Sequence, residues 1–195
     1  MDEPVVLRIN DGCAPSPDGR PYAKRLAAAM GWQLRDYGYC VARAAGIAAV
    51  GNAVKAIAIC NHRTKTAEVT LCVEAALDRI EENKPVVVQM TIREVDFPPP
   101  KKMRTYRIAG QSDKDLDLNK LVQSLLRPLQ AEEGISMHCL GPKAIYRATL
   151  AFITTRTLVQ NELVMIPTWE SVLDKKKIPV SLIRLDIWAN PTIKS

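Results

Sequence analysis

Along this chain, stretches that alternate apolar and polar residues with a period of two give way to stretches with a helical period, and the changes come in the same order twice. In the first pass, residues 5–10 alternate as a strand, and the turn-forming run 11–19 follows. Pro21 stands where helices begin, and Leu26, Ala29, Met30 and Leu34 recur at helical spacing to about residue 34. Tyr37 and Gly38 turn the chain into a strand over 39–44, and Gly46 opens a helix of small and apolar residues to about Cys60. A polar loop over 61–65, a strand over 67–74, a charged tip over 77–84 and a β-branched strand over 85–95 complete the pass. The predicted order is β-α-β-α-β-β.

The second pass repeats it. Residues 104–109 predict a strand, with Asp113 as a helix cap. A helix is predicted over 115–130, its apolar face formed by Leu118, Leu121, Val122, Leu125 and Leu129 and its end kinked or closed by Pro128. Then come a strand over 135–140, Gly141, and a second small-residue helix over 142–153. A strand over 163–166, a polar tip over 167–177 and a strand over 180–188 follow. Gly46 and Gly141 lie 95 residues apart, and a glycine between strand and helix lets the two approach closely. The repetition predicts an α+β protein of two similar domains, 1–97 and 104–195. The Pro98-Pro99-Pro100 run within 98–103 predicts a semi-rigid spacer in preference to a ligand for an aromatic groove.

Composition narrows the function classes. At 47% hydrophobic and 25% charged, the 195 residues are ordinary for a globular protein. The longest apolar stretch, 44–60, is broken by Asn52 and Lys55 and falls short of the roughly 20 residues of a membrane span. The acidic start lacks the basic region of a secretory signal, so a soluble intracellular protein, cytoplasmic or organellar, is expected, without membrane contact. Cys13, Cys40, Cys60, Cys72 and Cys139 form an odd set with no CxxC pair, and four of them fall in apolar patterns, the mark of buried free thiols. His62 in its polar loop and His138 on a strand do not complete a metal site, and neither a metal nor a cofactor is expected. Gly46-x-x-x-x-Gly51 is followed by Asn52 and Ala53 rather than Lys and Ser/Thr, and GxGxxG, GxSxG and HExxH are missing, so no enzyme is expected; the Cys60 and His62 spacing is a weak signal for a reactive pair.

Charge separates the copies. The first 100 residues balance 12 basic against 12 acidic side chains, whereas the remaining 95 carry 15 against 9, so the whole excess belongs to the second half. A basic half is compatible with an anionic partner such as nucleic acid.

Two short segments carry a family likeness. The run 46–59, with its core Ala53-Val54-Lys55-Ala56-Ile57-Ala58-Ile59, resembles the central motif of the stage V sporulation protein S domain. Gly141-Pro142-Lys143-Ala144-Ile145-Tyr146-Arg147-Ala148 is similar to the signature of the Alba chromatin and RNA-binding proteins. Both families share the β-α-β-α-β-β order. The resemblance implies tandem domains, each with two helices packed on one face of a four-stranded mixed sheet, which pair within one polypeptide as a pseudo-dimer. It also implies nucleic-acid contacts at Arg43 and Lys55 in the first copy and at Lys143 and Arg147 in the second. The hairpin tip adds Lys175, Lys176 and Lys177, and the linker adds Lys101, Lys102 and Arg104. The first copy departs from the Alba pattern: Ala44-Ala45 replaces consecutive basic residues, and its tip, 78–84, is largely acidic.

Each site has a plainer explanation beside the functional one. Lys143 and Arg147 share a helix face near an N-terminus, where amides and dipole favour anions, but they also suit a solvated face. The lysine triplet lies near Trp169, a side chain able to stack on a base, but also suits a solubilising loop. Lys55 in its apolar helix is more simply a snorkelling lysine. The function expected is non-enzymatic binding of RNA or DNA, largely independent of sequence. The alternative is a structural, protein-interaction subunit of a large assembly (a ribonucleoprotein, a mitochondrial complex or a cytoskeletal or axonemal array) without nucleic-acid contact.

Overall fold

A computed structural model describes residues 4–12, 21–64, 69–78, 86–95, 97–108, 118–159, 162–173 and 177–189. In chain order the elements are β1 (Leu7–Ile9), α1 (Tyr22–Tyr37), β2 (Tyr39–Ala45), α2 (Gly46–Thr64), β3 (Leu71–Leu77), β4 (Val87–Glu94), β5 (Met103–Ile108), α3 (Leu118–Gln130), β6 (Gly134–Cys139), α4 (Pro142–Leu158), β7 (Leu163–Leu173) and β8 (Pro179–Ala189). The protein is α+β, with these four helices on an eight-stranded mixed sheet of order β1-β2-β4-β3-β7-β8-β6-β5.

That single sheet is where the structure departs from two separate four-stranded ones. Counted from the outer edges inward, each half orders its strands first, second, fourth, third, with a parallel outer pair and antiparallel inner pairs. The halves meet at their third strands, where β3 and β7 pair antiparallel through Val73 and Met165. Val73 and Met165 hold matching places, opposite Ile92 of β4 and Ile187 of β8 respectively.

Period-two burial assigns one sheet face to the helices. Cys40, Ala42 and Ala44 of β2 and Ile135, Met137 and Cys139 of β6 enter one core with Ile57 of α2 and Phe152 of α4. The helices lie side by side in the order α1-α2-α4-α3. α2 and α4 meet at Gly51, where an added Cβ would stand 3.4 Å from Cβ of Pro142, in ordinary van der Waals contact. The opposite face carries a smaller apolar cluster of Cys72, Val164, Ile166 and Trp188, against which Val95, Phe97 and Met103 pack. Phe97 and Met103, which flank the Pro-rich segment, thus pack on that face of the sheet.

Several elements run longer than the sequence pattern predicts, among them α4, which continues past 153 to Leu158. β7 continues through 167–173, which the pattern assigns to a polar tip, and Pro167 sits within it opposite Leu185. α2 continues through His62 to Thr64, so His62 is exposed on a helix rather than in a loop. Asp113, most of the first hairpin tip, Cys13 and the pair Lys175 and Lys176 lie outside the described residues.

Candidate nucleic-acid interface

Each signature glycine turns its strand into a helix in the left-handed region, with φ of 80° at Gly46 and 84° at Gly141. An L side chain there is strained, which accounts for glycine at both places. Pro142 then occupies the start of α4, where its missing N–H breaks no helical bond, and no acidic residue stands in the first turn. Lys143 is exposed on this turn, and Arg147, half-buried, follows one turn later.

Strand register decides what else lies at this end. Cys139, the last residue of β6, pairs with Ile183, and beyond that pair the β7–β8 hairpin runs on to the pair Leu173 and Pro179. The arm therefore projects from the sheet end at which α4 begins. Trp169 pairs with Ile183, a core residue of the helix-covered face, so its indole rises on the same side as α4 and is 41% exposed. Lys177 is exposed at the arm's turn with φ of 60°. Lys143, Arg147, Trp169 and Lys177 thus share one end of the molecule.

The remaining basic residues are placed elsewhere. Lys102 and Arg104 both bind Glu133, and these two bonds, that from Arg104 first, hold the Glu133 carboxyl below its ordinary range. They lie where Met103 pairs with Gly134, at the opposite end of β5 and β6 from Lys143. Lys101 is exposed beside them. Arg43 forms an ion pair with Asp78, and Lys55 is half-buried within α2. The place of Arg43 is taken in the second half by His138, whose Nε2 stands 3.8 Å from Oε2 of Glu170.

The seam between the halves holds polar groups with no signal in the sequence pattern. Asn61 is buried near the end of α2. Its Nδ2 donates to the carbonyls of Leu71, at 2.9 Å, and Pro167, at 2.8 Å, and its Oδ1 accepts from the Leu71 N–H at 2.7 Å. One residue thus ties β3 to β7. Arg156 of α4 holds the matching position, 15 residues after Gly141 as Asn61 is after Gly46. It donates to the Ala75 carbonyl at 3.3 Å and to Glu74 at 3.0 Å. Arg93 bonds both Glu74 and Glu162, at 2.6 Å each, and extends the network across the seam.

The four described cysteines are free and buried. Burial pushes Cys40 and Cys139 up to about 12, Cys40 with a further push from Cys60, and pushes Cys60 and Cys72 up to about 11. Cys60 Sγ donates to the Ala27 carbonyl at 3.3 Å. Among the described residues no cluster of three or more His, Cys, Asp or Glu side chains is placed to hold a metal ion, and no helix is long and apolar enough to cross a membrane. No protein-family model matches the chain, and a search of the curated proteins gives no match.

Proposed function

We propose that the protein binds the backbone of RNA or DNA without catalysis, through the end of its second half. The observation that carries this reading is the convergence of Lys143, Arg147, Lys177 and the exposed Trp169 at the end where α4 begins and the β7–β8 arm projects. Lysine and arginine supply sequence-independent phosphate contacts, and an exposed indole on a strand supplies a stacking surface. In this reading the halves are Alba-like units paired within one chain, a reading supported by their identical strand order. The first half contributes little phosphate contact, because Asp78 already engages Arg43.

A double Lys143→Ala, Arg147→Ala variant tests the site. It should weaken binding and flatten the salt dependence by about 1.4–1.8 in the log–log slope, two contacts' worth. An unchanged slope would reject these residues as phosphate contacts. Lys102→Ala should change binding little, since Lys102 is engaged by Glu133.

The second reading is a structural subunit of an assembly. It is favoured by the ion pairing of Arg43, Lys102 and Arg104 and by the exposed apolar Leu173 and Ile178 on the arm.

A further inference from the structure

The two halves differ where α1 passes the C-terminal end of α2. At the 95-residue offset, Ala27, Gly31, Thr64 and Glu94 correspond to Val122, Leu126, Val159 and Ala189. In the second half Val122 is buried, and Leu126, Val159 and Ala189 pack against the core. In the first half the smaller or more polar residues leave a hollow of about 460 Å³, lined in part by Ala27, Gly31, Trp32, Arg63, Leu71 and Glu94. That volume falls within the roughly 300–1,000 Å³ of small-molecule sites.

The first half's own fold does not account for what lines the hollow. Gly31 lies within α1, yet a Cβ added there would meet nothing within 4 Å. Glycine in a helix interior weakens it, and here no close neighbour requires one. Trp32 is 60% exposed, its ring 4.4 Å from the Arg35 guanidinium. Arg63 and Glu94, opposite charges bordering the same hollow, form no ion pair with each other or with another described residue.

We infer that this hollow binds a free α-amino acid with a large apolar side chain. The side chain enters above Gly31 and fills the space that Leu126 fills in the second half. The carboxylate meets Arg63 and the ammonium meets Glu94. A fatty acid would leave Glu94 facing a carboxylate, a simple amine would leave Arg63 facing an ammonium, and an internal peptide segment brings neither terminal charge. The zwitterion meets both Arg63 and Glu94 while its side chain covers the apolar lining. The proposal is independent of nucleic-acid binding, which is assigned to the other half.

The test is calorimetric titration of the full chain with L-leucine and L-phenylalanine, with Trp32 emission followed in parallel. The account expects saturable binding of at least one of them. Phenethylamine and 3-phenylpropanoate, each lacking one charge, should bind about tenfold more weakly, as should the amino acid to Arg63→Gln. Gly31→Leu should abolish binding while the melting temperature holds or rises. Should that variant fail to fold, Glu94→Ala, at an exposed position, supplies the loss-of-affinity arm. Absence of saturable binding to the wild-type chain, undiminished binding to Gly31→Leu or to Glu94→Ala, or equal affinity for the singly charged analogues would overturn the assignment.

Discussion

Gly31 and the four described cysteines are single residues whose physics reaches beyond their own positions. Since nothing stands near the absent Cβ of Gly31, Gly31→Ala should stabilise the protein by about 0.5–1 kcal/mol in urea denaturation, through helix propensity alone. A loss of stability would mean that the α1 backbone needs the glycine. The thiols make stability depend on alkaline pH. Their folded values of about 11 to 12 stand above an unfolded value near 8.5–9, so their contribution is complete below that value and is lost as pH rises toward the folded ones. Between about pH 9 and 11 each thiol should remove up to about 1.4 kcal/mol per pH unit, visible as a falling denaturation midpoint. At this scale the sequence was legible where a residue's role is local. Gly46 and Gly141 were recognisable between strand and helix, and the cysteines lay inside apolar patterns. Asn61 was not, because a polar residue just past an apolar helix looks like a loop until β7, more than 100 positions away, is brought beside it.

β7 shows why a local pattern misplaces an element's end. Pro167 looked like a strand terminator, but its carbonyl accepts from Asn61 at the seam, so its missing N–H would also have pointed to the seam rather than to β8. Proline therefore breaks no ladder bond there, and the strand continues with its alternation intact through Leu173. The same seam sets the stability prediction at this scale. Asn61→Ala strands the Leu71 N–H and two carbonyls and should cost about 2–3 kcal/mol in equilibrium unfolding. Asn61→Asp should cost at least as much, because a carboxylate would face the carbonyls of Leu71 and Pro167. An aspartate variant as stable as wild type would show that the seam is open to water. Arg156→Ala should cost less, about 1–2 kcal/mol, since Arg156 and Glu74 remain partly exposed.

For the whole molecule, the order of strands and helices was legible because periodicity survives in each half, whereas the joining of the halves was not. One strand pair, Val73 with Met165, and two unlike side chains at matching helix positions carry no shared sequence signal. The shared core that results predicts cooperative unfolding of the entire chain, with coincident transitions by tryptophan emission and circular dichroism. Two separated transitions would mean that the halves are thermodynamically independent despite their common sheet. Asymmetry of charge matters as much as symmetry of fold, since the basic excess lies in the second half and only part of it gathers beside α4 and the arm.

That gathering is most directly tested by fluorescence anisotropy of the full chain with labelled single-stranded RNA and duplex DNA, titrated at low and near-physiological salt beside the Lys143→Ala, Arg147→Ala variant. The account predicts micromolar or tighter binding that weakens steeply with salt, loses slope in the double variant and is indifferent to Lys102→Ala. No binding even at low salt would contradict it and leave the basic end as solvated surface on an assembly subunit.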